Sequence, residues 1–101
     1  MPETTSLIAG QFNGTGVSAS VVVYGRFNCQ IYGGNGVVAI QRALDGTNYN
    51  TVSKDADGTP ASYDTNVNGF DGVLEEPSRG IKYRLECTSF VAGPINYRIS
   101  A

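Results

Sequence analysis

A regular alternation of apolar and polar residues near the C-terminus limits the fold of this chain more than any other feature. Between residues 81 and 88 every second side chain is apolar or aromatic, and the apolar set is Ile81, Tyr83, Leu85 and Cys87. Successive side chains of a β-strand point to opposite faces, so the segment predicts a strand with one buried face. The same period returns over residues 95–100.

Similar alternation occurs along most of the chain, and no segment shows the i, i+3, i+4, i+7 spacing of an amphipathic helix. Glycine-rich turns separate the alternating segments at intervals of about ten residues, a spacing typical of sandwiches and barrels. We therefore predict an all-β fold, a two-sheet antiparallel β-sandwich of seven to nine strands with a jelly-roll or immunoglobulin-like strand order. The predicted core consists of Val21, Val23, Phe27, Ile31, Val38, Ile40, Ile81, Tyr83, Leu85, Ile95, Tyr97 and Ile99.

Turn residues predict where the strands end. The segment Gly33–Gly36 is interpreted as a hairpin turn, and Leu44 is expected on the same face as Val38 and Ile40. Pro77 is expected to end the strand that precedes it. Residues 53–72 are interpreted as a long surface loop containing a short strand near residues 62–67.

The first sixteen residues differ from the rest. They are polar, contain one short apolar run and end in a glycine-rich hinge. We predict an N-terminal arm over residues 1–16, with one short edge strand as the alternative, and a sandwich domain over residues 17–101. Leu7, Ile8 and Phe12 are interpreted as apolar anchors that this arm presents to a partner.

Charge and hydropathy exclude several classes of partner. Seven Lys and Arg residues against nine Asp and Glu residues give a net charge of −2, and the basic residues are scattered rather than clustered. Nucleic-acid binders show a basic patch, so we expect no nucleic-acid partner. The chain also contains no run of about 18 apolar residues and no leader-like N-terminus, so we expect it to be neither exported by the usual route nor membrane-bound.

Residue types that carry catalysis are scarce. The chain has no histidine, and Glu75-Glu76 is its one adjacent pair of carboxylates, expected to discourage edge pairing or to pair with Arg79 or Arg42. We expect no catalytic residues, no cofactor and no metal, and thus a protein that is not an enzyme. The acidic loop with Asp55, Asp57, Asp64 and Asp71 leaves an opportunistic calcium site as an alternative to solvated turn carboxylates.

The two cysteines, Cys29 and Cys87, both fall on inward-facing positions. Their separation suits the inter-sheet disulfide of an immunoglobulin-like domain, but the tryptophan that packs against such a disulfide is missing from the chain. With no export signal, we expect two buried thiols, and the disulfide remains the alternative.

Four segments carry a resemblance to a known group of proteins: QRALDG at residues 41–46, TPASY at 59–63, YRLECT at 83–88 and NYRIS at 96–100. In this order they resemble small β-sandwich proteins encoded among the virion structural genes of tailed bacteriophages. The resemblance covers about residues 14–101 and implies a scaffold rather than a catalytic site. Assigned roles in that group are capsid decoration, also called cement, or other accessory virion functions.

The resemblance implies a capsid decoration protein that binds the major capsid protein on the outer surface of the head. We expect a homo-oligomer, a dimer or a trimer, assembled in the host cytoplasm and located on the virion. The alternative is a tail- or fibre-associated module that binds a host glycan or receptor, which exposed tyrosines gathered in one groove would favour. The predicted partner interface consists of Leu7, Ile8, Phe12, Tyr63, Phe70 and Val73.

Overall fold

A computed structural model of the protein describes residues 6–43, 45–53 and 57–100. Over these residues the chain forms strands, turns and loops, with no helix. The strands are β1 (Ser6–Phe12), β2 (Gly16–Val17), β3 (Val21–Tyr32), β4 (Asn35–Ala43), β5 (Asn50–Thr51), β6 (Ser62–Asp64), β7 (Phe70–Ala92) and β8 (Ile95–Ser100).

The strands form one continuous antiparallel sheet in the order β1-β8-β3-β7-β4-β5, to which β2 is added at β7 and β6 at β4. The long strands β3 and β7 divide this sheet into two halves. We call the front sheet the set β1, β8, residues 25–32 of β3 and residues 70–76 of β7. The back sheet comprises residues 21–23 of β3, residues 81–92 of β7, β2, β4, β5 and β6. The predicted all-β antiparallel fold is confirmed.

A single hydrophobic core lies between the two halves in a sandwich-like arrangement. The rings of Phe27 from the front sheet and Tyr83 from the back sheet meet edge to face, with centroids 5.0 Å apart. Every predicted core residue is buried except Val21 and Tyr97, which are half-buried and pack against the core. The predicted inward residue Leu44 lies outside the described residues.

The glycine turn after β3 corrects one prediction. Residues 33–36 were expected to form a hairpin, but β3 pairs with β7 and β8, whereas β4 pairs with β5, β6 and β7. The turn therefore carries the chain from the front sheet across to the back sheet. Gly34 has a φ of +61°, and a Cβ there would lie 2.6 Å from the carbonyl oxygen of Ala92. Only glycine fits such a close crossing without strain.

The expected end of a strand at Pro77 is also wrong, because β7 continues through this residue to Ala92. Gly25 of β3 pairs with Glu76, whereas Val23 pairs with Ile81. Residues 77–80 thus form a bulge opposite Tyr24. A bulge is one of the places where a sheet tolerates proline, since no ladder hydrogen bond is required there.

Residues 1–5 lie outside the described residues, and from Ser6 onward the N-terminal segment is the short edge strand rather than a flexible arm. The segment forms β1, which pairs with the C-terminal strand β8 from Ser6 opposite Ser100 to Phe12 opposite Ile95. Its inward positions repeat with period two, and Gly10 leaves room for the Tyr97 ring, since a Cβ there would lie 2.7 Å from the tyrosine hydroxyl. Contacts between the two chain ends therefore hold the segment that local composition marked as an arm.

The long loop after β5 contains the short strand that was expected within it, β6. The loop is tied to the back sheet through Ala61, whose N–H donates to the Val52 carbonyl at 2.7 Å and whose carbonyl accepts from the Ile40 N–H at 2.9 Å. The turn between β6 and β7 closes on the carbonyl oxygen of Asp64, which accepts from the N–H groups of Val67, Asn68 and Gly69.

Candidate functional site: the outer face and free edge of the front sheet

The three predicted anchors of the N-terminal segment have different environments. Phe12 is 6% exposed and packs against Tyr97 at a centroid distance of 4.8 Å, so it belongs to the protein's own core. Ile8 is half-buried against the same core. Leu7 lies at a register shift between Ser6 and Ile8 and remains 37% exposed. Of the three, Leu7 is the one that a partner can reach freely.

The other predicted interface residues lie far from β1, on or next to the opposite edge of the front sheet. Tyr63 of β6 and Phe70 of β7 stack with ring centroids 4.4 Å apart and close the gap between the back and front sheets. Both are half-buried and pack against the core. Val73 pairs with Asn28 and is 62% exposed. The structure therefore does not gather the six predicted residues into one surface, and it leaves Leu7 and Val73 exposed at opposite edges of one sheet.

The outer face of the front sheet is a continuous surface between these two edges. Its residues include the exposed or half-exposed side chains of Gln11, Arg26, Asn28, Gln30, Tyr32, Asp71, Val73, Glu75, Asn96 and Arg98. No lysine occurs in the front-sheet strands. Protein interfaces are enriched in tyrosine and arginine and depleted in lysine, aspartate and glutamate. Tyr32, Arg26 and Arg98 and the lack of lysine fit a contact surface, and the two acids, Asp71 and Glu75, lie on the edge strand β7.

Hydrogen bonds between neighbouring strands hold several of these side chains in place. The Gln11 amide donates to the Asn96 side-chain oxygen at 2.9 Å, and the Gln30 amide donates to Asp71 at 3.4 Å. Ordered side chains lose less conformational entropy on binding than free ones. The surface is therefore partly preorganised for contact.

Sequence reasoning did not predict this outer face, although the signal was present. The alternation that places Phe27, Cys29 and Ile31 in the core necessarily places Arg26, Asn28 and Gln30 on the opposite side. The alternation does not predict the strand order. In the structure β8 and β1 lie beside β3, so the polar outer residues of the three strands form one continuous surface.

A buried ionic cluster lies at the bend of β7. Glu76 is fully buried and accepts hydrogen bonds from the Arg42 guanidinium at 2.6 and 2.8 Å, from the Tyr83 hydroxyl at 2.9 Å and from the Ser78 N–H at 3.0 Å. The predicted pairing of this glutamate pair with Arg42 is confirmed for Glu76. The carboxylate is saturated by its own chain, so the cluster braces the bulge.

Electrostatics in this cluster follow from the contacts. The Arg42 hydrogen bonds outweigh the effect of burial and hold the pKa of Glu76 at about 2, well below its ordinary value of 4.5. Burial, followed by the hydrogen bond to Glu76, raises the pKa of Tyr83 to about 12. Glu76 is therefore ionised and Tyr83 protonated at neutral pH.

Two clefts open beside these features. One, of about 260 Å³, is lined by Arg42 and by residues 50–53. The second, of about 370 Å³, is lined by residues 62–64 and 67–69. The arginine in the first cleft is already neutralised by Glu76. The second cleft follows the turn between β6 and β7, beside the Tyr63–Phe70 stack.

The tyrosines do not form a common groove. Tyr24 lies under the Arg79 guanidinium at 4.1 Å, and Tyr49 lies under that of Arg84 at 4.0 Å. Tyr32 is exposed at the far end of β3 from Tyr24, eight residues or roughly 26 Å away along an extended strand. The arrangement that would favour a glycan-binding module is absent from the part of the chain that the structure describes.

The cysteines are free, as predicted. Cys29 lies in the front sheet and Cys87 in the back sheet, and both are buried. Burial raises the pKa of the Cys29 thiol to about 12, which keeps it protonated and unreactive at neutral pH.

Among residues 6–43, 45–53 and 57–100, no three histidine, cysteine, aspartate or glutamate side chains are grouped so that they could hold a metal ion. Asp55 of the suggested calcium loop lies outside those ranges. The same described residues include no helix long and apolar enough to cross a membrane.

Comparison of the chain with protein-family models, with curated proteins and with solved structures finds no match. Function is therefore inferred from the chain's own residues and from the surfaces that they form.

Proposed function

We propose that this chain is a structural protein of a tailed-phage virion, a capsid decoration protein that binds the major capsid protein on the outer surface of the head as a homo-oligomer. In this role the protein binds other proteins and catalyses no reaction. The charged groups inside the fold are paired with each other, as Glu76 and Arg42 illustrate, and are not available to a substrate. The side chains available to a partner are those of the outer faces and the sheet edges.

The residues that carry the resemblance to phage virion proteins support a shared scaffold. YRLECT lies within β7 and NYRIS within β8, while QRALDG spans the end of β4 and the turn after it. These segments build the two halves of the sandwich.

The observation that carries the proposal is the outer face of the front sheet. Tyr32 and Val73 are each more than half exposed there, among amides and the arginines Arg26 and Arg98. Exposed apolar and aromatic side chains set among polar groups are typical of protein interfaces. We assign this face to the capsid contact.

Val73→Asp tests the assignment, with Val91→Asp as the matched control. Both valines are well exposed, at 62% and 69%, but Val73 lies on the front face and Val91 near the end of the back-sheet part of β7. Full-length protein is pelleted with capsids assembled from the major capsid protein of the same phage. We expect Val73→Asp to weaken capsid binding about tenfold or more, the effect of losing about 1.4 kcal/mol at an interface, and Val91→Asp to bind like the wild type.

If both variants bind capsids equally well, the capsid contact does not lie on the front face. Failure of the wild-type protein to pellet with capsids would refute the decoration role itself. Circular dichroism of each variant confirms that the exposed substitutions leave the fold intact.

A further inference from the structure

The strand β1 is a free edge of the front sheet. Within the described residues it pairs only with β8, and its other side is left without a partner strand. From Ile8 to Phe12 the register with β8 is unbroken. An edge of this kind presents a row of unpaired N–H and C=O groups, which is a template for another strand.

Natural edges are usually protected by lysine and other charges, by proline, by bulges or by short length. The β1 sequence SLIAGQF has no charge and no proline, and its single irregularity lies near its start, at Leu7. The opposite edge of the front sheet, residues 70–76, exposes Asp71 and Glu75. At the edge of the back sheet, β5 and β6 have only two and three residues. Among these edges, β1 alone is both long and uncharged.

We propose that β1 pairs antiparallel with β1 of a second copy, so that two front sheets join into one across a two-fold axis near Ala9 and Gly10. This inference rests on the homo-oligomer part of the proposed function and specifies its contact. An isologous pairing brings the uncharged strand against itself, with no like charges opposed. It also covers Ile8, which is only half-buried at the edge of the single chain.

Pairing of β1 with β1 is favoured over a head-to-tail contact between copies of the chain. Pairing β1 with the edge of another molecule that exposes Asp71 and Glu75 is a heterologous contact, which leaves a free β1 at one end of the assembly unless the rotation between copies closes a ring. Two-fold pairing of β1 with β1 gives an assembly that ends at two chains and leaves neither β1 edge exposed. Self-pairing of β1 therefore gives a dimer, whereas a trimer would require the heterologous contact with the acidic edge.

Engineered cysteines test the contact directly. Ala9→Cys and Gln11→Cys are prepared as full-length proteins and oxidised mildly, alone and as an equal mixture, with Val73→Cys as the control at the opposite edge. Directly opposed residues of an antiparallel pair have Cβ atoms about 4.5–5.5 Å apart, close to the range that a disulfide spans. The native Cys29 and Cys87 are buried and do not compete.

We expect a cross-linked dimer from Ala9→Cys alone if the axis passes through residue 9, or from the mixture with Gln11→Cys if it passes through residue 10. Val73→Cys should remain uncross-linked. Sedimentation equilibrium should give twice the monomer mass for the wild type and the monomer mass for Ala9→Lys, in which the two lysines would be directly opposite with an axis through residue 9 and diagonal neighbours with an axis through residue 10. Ala9 is exposed, so the lysine variant keeps the fold, which circular dichroism verifies.

A monomeric or trimeric wild-type protein, or cross-linking through Val73→Cys in place of the β1 variants, would overturn the proposal. The capsid assay is read separately. A wild-type dimer that does not pellet with capsids would refute the decoration role and leave the β1 pairing standing. A monomer that pellets would refute the β1 pairing and the homo-oligomer part of the proposed function, and would leave capsid binding standing.

Discussion

At the scale of single residues, Glu76 shows how this small domain keeps a charge in its interior. A buried carboxylate is costly unless it is paired and hydrogen-bonded, and Glu76 meets both conditions through Arg42, Tyr83 and the Ser78 N–H. The three side chains come from β4 and from both halves of β7. The cluster therefore fixes the bend at which β7 passes from the front sheet to the back sheet.

Glu76→Gln removes the charge and keeps the shape of the side chain. We expect a loss of about 1.5–3 kcal/mol in the free energy of unfolding at neutral pH, the usual contribution of hydrogen bonds to a charged group. A larger loss is not expected, because the Arg42 side chain is 28% exposed and can be solvated when its partner is neutral. Urea unfolding measures the difference, and Glu75→Gln at the exposed neighbouring position is the control.

The same pair gives a pH dependence whose direction follows from the lowered pKa of Glu76. The folded protein holds this pKa at about 2 against an ordinary 4.5, so the stabilisation is complete above pH 4.5 and is lost as the pH falls towards 2. Asp45 behaves alike, because the Asn48 and Thr47 N–H groups lower its pKa to about 2. Stability measured from pH 6 to 2 should fall less steeply in Glu76→Gln than in the wild type, and parallel curves would contradict the assignment.

This cluster was partly predictable from the sequence. Arg42 has the same parity as Val38 and Ile40, and Glu76 has the same parity as Leu74, so two opposite charges stand at inward positions. The alternation thus indicated an internal ion pair. The alternation does not predict the bulge at residues 77–80. A bulge is defined by the mismatch in residue number between two paired strands, and the sequence of β7 alone does not show which residues of β3 lie opposite it.

At the scale of elements, β1 shows the limit of local pattern. Its apolar residues stand out in the sequence, and the polar residues that flank them favour the interpretation as anchors for a partner. The strand that pairs with β1 lies at the other end of the chain. Contacts this distant leave no mark in a local window, whereas strands β3, β4 and β8 have enough alternating residues to be predicted alone.

Phe12→Ala tests whether β1 belongs to the fold. Because Phe12 is buried against Tyr97, we expect a loss of about 3–5 kcal/mol in the free energy of unfolding, as for other buried phenylalanines. Leu7→Ala, at a partly exposed position of the same strand, should cost much less. If both substitutions have equally small effects on the free energy of unfolding in urea, the N-terminal segment is a flexible arm and not part of the folded sheet.

At the scale of the whole molecule, the two halves are held together by shared strands as well as by a shared core. Both β3 and β7 contribute to the front and the back sheet, and residues 21–23 of β3 pair with residues 81–83 of β7 where the halves meet. Each half covers the hydrophobic face of the other, because the core contains residues from both halves. The molecule should therefore unfold as one unit.

Phe27→Ala tests this cooperativity, because the ring belongs to the front sheet and contacts Tyr83 of the back sheet. We expect a loss of about 3–5 kcal/mol with a single transition, whereas Val22→Ala, at an exposed position of the same strand, should cost much less. The chain has six tyrosines and no tryptophan, so tyrosine fluorescence reports on side-chain packing while far-ultraviolet circular dichroism reports on the strands. The two signals should change at the same urea concentration in the wild type and in both variants. Separate midpoints in Phe27→Ala would mean that one half keeps its strands after the core has opened, and the sandwich would then be two units rather than one.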